Sequence, residues 1–208
     1  MIDQLPIGLL DSNCYLVYDH EGGDGAIVDP GVPQPNLLLE AISRRHLRIR
    51  YILNTHGHFD HVLGLGSLAL PEALVAVHPR DRDLLVQGGG TAQFGLPVVR
   101  FAPPDLDLTD GTVLTVDGLR IEVIHTPGHT LGSVCLYVPT DGALITGDTL
   151  FAGSVGRTDL LGGDPQMLAL SLKRILELPD QTLIYPGHGN ATTLVYERRH
   201  NPWLQVPI

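Results

Sequence analysis

Short apolar runs that end in turn-forming residues alternate with amphipathic stretches along this chain. The runs predict β-strands at residues 15–18, 26–28, 50–54, 73–77, 113–116, 119–124, 133–138, 143–146 and 182–185. Helical spacing predicts helices at residues 37–46, 80–86, 165–179 and 192–200, and a short one that ends before Pro71. Residues 88–105, rich in Gly and Pro, predict a long loop, and 88–97 could form a mobile lip over a site.

The order of these elements indicates the architecture. Strands with interspersed helices occur in the first half and again in the second, which favours two sheets with helices outside them. Four potential ligands each follow an apolar run: His56, His129, Asp148 and His188. Loops at strand ends are where a rigid scaffold usually carries its chemistry.

Composition narrows the class of protein. Apolar residues make up 43 % and charged residues 17 %, which is typical of one globular domain with a sizeable core, here spanning 1–208. The net charge of −10 argues against nucleic-acid and membrane partners, because both require dense positive charge. Asp3 lies where a signal peptide would be basic, so a cytoplasmic location is expected. Cys14 and Cys135 lie in apolar runs and are expected to be buried.

The chain has ten histidines, and four potential metal ligands, three of them histidines, fall within six residues. His56, His58 and Asp60 share one side of an extended stretch, while the adjacent Asp60 and His61 can diverge at a helix start. Such a cluster can serve two neighbouring ions. Imidazole and carboxylate without thiolate suit Zn²⁺, and also Fe or Mn. The alternative is an ordinary polar loop before a helix.

These motifs resemble those of the metallo-β-lactamase superfamily, and in particular its glyoxalase II (hydroxyacylglutathione hydrolase) branch of short bacterial proteins. The resemblance covers roughly residues 10–204 and rests on Thr55-His56-Gly57-His58-Phe59-Asp60-His61, Thr126-Pro127-Gly128-His129-Thr130, Thr146-Gly147-Asp148-Thr149-Leu150-Phe151 and Pro186-Gly187-His188. It implies an α/β fold, a four-layer αβ/βα sandwich of two mixed sheets with helices on the outer faces.

The resemblance also implies two divalent metal ions, with Zn favoured and Fe or Mn open. His56, His58 and His129 would hold the first ion, and Asp60, His61 and His188 the second. Asp148 would bridge the two, together with a water or hydroxide. Asp60 and Asp148 are the candidate catalytic residues. Asp148 also sets the chain apart from the β-lactamases proper, which usually carry Cys at the corresponding second-metal position.

The implied reaction is hydrolysis of a thioester, such as S-lactoylglutathione, by a metal-bridging hydroxide. Two metals lower the pKa of water, and a thiolate leaving group needs little protonation. Arg157 is the candidate substrate-binding residue, although it could instead pair with Asp159 or Asp164. The expected partner is a small acyl thioester. A homodimer is also possible.

The chain departs from full-length glyoxalase II proteins at the glutathione site. No C-terminal helical domain for glutathione is expected, and Gln205 lies where the relatives tend to continue with a basic residue. Asp159 occupies the stretch in which they place a Tyr. Recognition of glutathione is therefore open even if the thioester chemistry holds.

Three other functions remain as alternatives. A persulfide dioxygenase would use a single Fe held by His56, His58, His129 and Asp148. A hydrolase of a lactone, phosphodiester or other ester could use the same fold. A non-catalytic metal-binding scaffold is disfavoured because all seven ligand positions are filled.

Overall fold

The computed structural model of the chain describes residues 1–205. The strands of the first half are β1 (Ile2–Pro6), β2 (Asn13–Tyr18), β3 (Asp24–Val28), β4 (Arg48–Leu53), β5 (Leu74–Val77) and β6 (Leu106–Asp107). Those of the second half are β7 (Val113–Val116), β8 (Leu119–His125), β9 (Val134–Val138), β10 (Ala143–Gly147), β11 (Leu150–Phe151), β12 (Ser154–Val155), β13 (Leu183–Pro186) and β14 (Thr192–Thr193). The helices are α1 (Asn36–Arg44), α2 (Phe59–Val62), α3 (Arg82–Val86), α4 (Pro165–Ile175) and α5 (Leu194–His200).

The strands form two mixed sheets. The first has the order β1-β2-β3-β4-β5-β6, antiparallel over its first three strands and parallel from β3 onward. The second has the order β14-β13-β10-β9-β8-β7, in which only the β10–β13 pair is parallel. Strands β11 and β12 form a separate hairpin.

Alternation along the strands places apolar side chains on both faces of each sheet. Tyr15 and Val17 of β2 face Val123 and Leu136 of the second sheet, which makes the core between the sheets. The intervening Leu16 turns the other way and packs with α1. Cys135 and Leu144 in the second sheet likewise pack against Leu168 and Leu172 of α4. The result is helix, sheet, sheet, helix, which confirms the four-layer sandwich.

Helix α4 shows why its sequence signal was clear. Asp164 Oδ1 accepts hydrogen bonds from the backbone N–H groups of Gln166 and Met167, at 2.8 and 3.0 Å. Pro165 occupies the first helical position, where no N–H is needed. Cys14 and Cys135 are fully buried, as predicted.

Several elements differ from the sequence prediction. The helix expected to end before Pro71 is only α2 followed by a 3-10 turn, Leu63–Gly66, since two glycines weaken it. The loop 88–105 contains a 3-10 turn, Thr91–Phe94. Strand β1 was not predicted, because its residues show no clear alternation of apolar and polar side chains. Its antiparallel pairing with β2 stabilises it instead. No helix of residues 1–205 is long and apolar enough to cross a membrane.

Candidate metal centre

The predicted site residues meet at one edge of the sandwich. His56 follows β4, Asp148 follows β10, and His188 follows β13. Strands β10 and β13 are parallel neighbours, so their carboxyl ends lie side by side. His129 reaches the same place from the loop after β8.

Three imidazoles form what we call the first cluster: His56, His58 and His129. One nitrogen of each lies within 4.8 Å of the others. His58 Nδ1 is 2.9 Å from His129 Nε2. All three residues are buried. This is the group of histidines predicted for a first ion.

The second cluster consists of Asp60, His61 and His188, whose ligand atoms also lie within 4.8 Å of one another. His188 Nε2 is 3.3 Å from both His61 Nε2 and Asp60 Oδ2. The expectation that Asp60 and His61 diverge is wrong. Because α2 begins at Phe59, Asp60 leaves the extended stretch of His56 and His58 and converges with His61.

Asp148 lies between the two clusters. Its Oδ1 is 3.4 Å from His61 Nε2, and its Oδ2 is 3.5 Å from His129 Nε2. One carboxylate thus faces a member of each cluster, which is the placement that a bridging ligand requires.

In three of the imidazoles, a hydrogen bond from Nδ1 to a group outside the clusters determines that Nε2 faces the site. His129 Nδ1 donates to the carbonyl of Arg157 at 2.8 Å, and His188 Nδ1 donates to that of Leu10 at 3.2 Å. His61 Nδ1 donates to Asp29 Oδ2 at 3.0 Å. In each case Nε2 is the nitrogen that faces the other ligands of the clusters, as in metal-ligating histidines.

The residues therefore fit divalent ions. His56 Nε2 and Asp148 Oδ1 are buried and have no hydrogen-bond partner among the described residues. Burial lowers the pKa of His56 well below its ordinary value and that of His58 to about 4, so both rings are neutral and able to ligate. A donor set of nitrogen and carboxylate oxygen suits Zn²⁺, Fe or Mn.

The second cluster has the opposite electrostatics. Burial alone would lower the pKa of His61, but the carboxylates of Asp148 and Asp60 outweigh it and raise the pKa to about 10. Burial would raise the pKa of Asp60, but the adjacent His61 and His188 hold it at about 2. The Asp60 carboxylate is thus ionised and carries the negative charge that a cation needs.

Two buried carboxylates that the sequence analysis missed support the clusters from behind. Asp29 follows β3 and accepts from the N–H and hydroxyl of Thr55, at 2.7 and 2.6 Å, as well as from His61. Asp29 also has a positive φ of 52°, which is unusual outside glycine. Its position directly after an apolar strand was a usable signal.

Asp81 supports the first cluster less directly. Its carboxylate accepts from the backbone N–H groups of Gly57 and Gly132 and from the hydroxyl of Thr130, at 2.6 to 2.9 Å. It thus ties the loop of His56 and His58 to the loop of His129. Nothing in the local sequence distinguishes Asp81 from a helix-capping acid.

A cavity of about 310 Å³ lies over the clusters, with Asp60 and Asp148 among its lining residues. Phe94 of the 88–97 loop is part of its wall and packs on Phe59, with ring centroids 4.9 Å apart. The loop is also held by a hydrogen bond from Phe59 N to the carbonyl of Gly89 at 3.0 Å. The predicted lip therefore borders the site, and its mobility stays a prediction.

Arg157 also lines this cavity, but its guanidinium donates two hydrogen bonds to Asp159, both at 2.7 Å. The sequence left two roles open for Arg157, substrate binding and pairing with a nearby acid, and the contact observed is the pair with Asp159. His125 stacks on His78, with ring centroids 4.0 Å apart. His78 caps a 3-10 turn and accepts a hydrogen bond from Arg80 N at 3.2 Å.

Comparisons with known proteins agree with this geometry. The model of the metallo-beta-lactamase superfamily matches residues 7–188. Hydroxyacylglutathione hydrolase GloC of Haemophilus influenzae is 35 % identical over 98 % of this chain and 97 % of its own length. The crystal structure of BLEG-1, a B3 metallo-beta-lactamase, is similar at a TM-score of 0.91, with 36 % identity over 99 % of this chain and all of that one. TTHA1623 in a di-iron-bound form gives a TM-score of 0.86, with 40 % identity over 97 % of this chain and all of that one.

Proposed function

The chain belongs to the metallo-beta-lactamase superfamily, and from this premise we propose that it hydrolyses acyl thioesters, as a hydroxyacylglutathione hydrolase does. The superfamily and the paired clusters support a metal-dependent hydrolase. The relationship to GloC, which is named for a thioester substrate, supports the finer choice.

The first and second clusters would each hold one divalent ion, with Zn²⁺ our first choice and Fe or Mn the alternatives. The ions, when bound, would polarise the substrate carbonyl and make a water molecule more acidic. Asp148 faces both clusters and would keep them in register. Asp60 and Asp148 border the cavity and are the catalytic residues we propose.

One observation carries the choice of a thioester: the cavity has no spare proton donor. Apart from Arg157, every titratable residue among its described lining belongs to the clusters or is Asp148. An amine leaving group needs a proton, whereas a thiolate, from a thiol of pKa about 8.5, leaves without one. The site therefore favours substrates with a good leaving group.

The experiment is hydrolysis of S-D-lactoylglutathione by purified protein of measured metal content. We expect turnover by the wild type and none by His58→Ala, which lacks a first-cluster ring. Lys173→Ala, on the outer helix α4, is the matched surface control and should keep full activity. Failure of protein carrying two ions to hydrolyse any acyl thioester would contradict the proposal.

A second candidate is hydrolysis of β-lactams, and the similarity to BLEG-1 favours it. That Asp148 excludes this activity stays a prediction from the sequence. A chromogenic cephalosporin assayed beside the thioester, with the same preparation, separates the two. One iron per chain, with uptake of O₂ on a thiol persulfide, would instead point to the dioxygenase alternative.

A further inference from the structure

The cavity over the clusters adjoins a second and larger one. This second cavity measures about 420 Å³, and it shares Val155 and Arg157 with the first as common wall. It lies between the segment after β12 and helix α4. Its apolar lining consists of Val155, Pro165, Leu168, Ala169, Leu172 and Trp203.

Apolar side chains also surround the entrance to the clusters. The apolar lining of the first cavity consists of Leu10, Phe59, Phe94, Phe151, Val155 and Leu160. Leu10 is 68 % exposed and has a positive φ of 56°, so a large apolar side chain is presented beside His188 on an unfavourable backbone. A path from the clusters to Trp203 is therefore bordered by apolar groups.

The charged residues that line the two cavities also favour an uncharged substrate. Arg157 is the single Lys or Arg among the described residues that line either cavity. Its guanidinium is engaged by Asp159, and the hydrogen bond from Arg157 holds the pKa of that carboxyl at about 2. A substrate with carboxylates near the thioester would meet this occupied cation and a chain of net charge −10.

We propose that the second cavity binds an unbranched aliphatic chain of the substrate, so that the preferred thioesters are aliphatic and uncharged near the scissile bond. This inference rests on the proposed thioesterase function. The occupant follows from the continuity of the two cavities and from the lack of a free cation in their described walls. Trp203, 59 % exposed, would be covered by the far end of the chain.

Trp203 is also the single tryptophan of the sequence, so its fluorescence reports on this cavity alone. The first test is a fluorescence titration with non-hydrolysable S-alkyl thioethers of N-acetylcysteamine, from ethyl to octyl. We expect Trp203 emission to change, with affinity rising up to about fourfold for each methylene that is buried. An emission that none of these ligands changes overturns the proposal.

The second test measures kcat/KM for two series of thioesters. One lengthens the acyl chain on N-acetylcysteamine from acetyl to octanoyl, and the other keeps acetyl and lengthens the thiol. We expect a rise of about tenfold or more from the shortest to the longest member in one series, which identifies the side that carries the chain. Turnover without dependence on chain length in either series refutes the cavity proposal but not the thioesterase. No turnover of any thioester would refute both.

Variants on helix α4 sharpen this test. Ala169→Glu puts a carboxylate into the second cavity, whereas Leu170→Glu puts the same group on the neighbouring exposed position, outside the lining. We expect Ala169→Glu to lower the octanoyl-to-acetyl ratio of kcat/KM about tenfold and Leu170→Glu to leave it unchanged. Equal effects of the two variants would overturn the proposal.

A last variant tests the role of charge. Asp159→Asn removes the carboxylate that occupies Arg157 and should raise kcat/KM for S-lactoylglutathione several-fold, with little effect on the neutral series. Quenching of Trp203 that depends on protein concentration alone would assign the cavity to a second copy of the chain. That result would also overturn the proposal.

Discussion

The first and second clusters lie side by side, yet different parts of the chain hold them. His56, His58 and His129 are all buried, and Asp81 secures their two loops through backbone amides. In the second cluster the side chain of His188 is 28 % exposed. It is tied to Leu10, 178 residues away in sequence.

The difference shows how one sheet edge can offer two sites of unequal preorganisation. The first cluster is buried and its two loops are tied together by Asp81, so we expect its geometry to exist before an ion arrives. The second has the stronger negative charge but depends on a contact between distant segments, one of them the strained turn at Leu10 and Asp11, with φ of 56° and 58°. We expect the first ion to bind more tightly and the second to exchange more readily.

The largest effect should come from the residue that the clusters share. Asp148→Ala removes the carboxylate that faces both, so both ions should be weakened and thioester turnover should fall about 10³-fold. Metal content after dialysis and kcat are the measurements. Retention of one tightly bound ion together with near-normal kcat would show that Asp148 does not link the clusters.

The next largest effect should come from substitutions at two glycines, one beside each cluster. A Cβ at Gly187 would lie 2.2 Å from Asp148 Oδ1 and 2.9 Å from His61 Cε1, whereas one at Gly57 would meet nothing closer than 3.1 Å. Gly187→Ala should therefore cost about 1–3 kcal/mol of stability and lose the second ion. Gly57→Ala should keep both ions. Unfolding curves and metal content check this, and similar losses in both variants would contradict it.

Substitutions of the two supporting carboxylates, Asp29 and Asp81, should have smaller effects, each on the binding of a different ion. Asp29→Asn should weaken the second ion about 10–100-fold, because His61 loses the carboxylate oxygen that accepts from its Nδ1. Asp81→Asn should act on the first ion instead, through the loops of His58 and His129. Competition with a chelator, monitored by Co²⁺ spectra, resolves the two ions. If both variants weaken the same ion, the division between the clusters is wrong.

The smallest effect concerns the turn that carries Asp81. Burial lowers the pKa of His78 to about 4, against an ordinary value of 6.5. The unfolded chain therefore takes up a proton on this ring between pH 6.5 and 4 that the folded chain does not, and stability falls as the pH drops through that range.

His78→Asn keeps a capping side chain and removes the titration. The free energy of unfolding of the metal-free protein, measured against pH, should fall less in this variant than in the wild type below pH 6.5. At pH 8 the two slopes should coincide, because His78 is neutral there in both the folded and the unfolded wild-type chain. Identical curves across the whole range would exclude a contribution from His78.

The sequence by itself determined the superfamily and the sandwich, and it predicted the composition of the site. Apolar runs that end in His56, Asp148 and His188 gave both the strands and the candidate ligands, because burial and metal binding each demand particular side chains at fixed positions. The resemblance carried by these motifs is confirmed by the superfamily match over residues 7–188. The metal-binding and catalytic roles of the individual residues remain predictions.

Only the tertiary structure decided how these residues are divided and supported. The support from Asp29 and Asp81 depends on contacts between segments far apart in the chain, whereas the convergence of Asp60 with His61 follows from the start of α2 at Phe59. Local sequence left Arg157 as either a substrate ligand or a salt-bridge partner. In the structure it pairs with Asp159, two residues away, and its role towards substrate stays a prediction. Hydrophobic periodicity in the sequence predicts which side chains are buried. The hydrogen-bond partner of a buried polar side chain depends on which loops the two sheets bring together, and only the tertiary structure shows this.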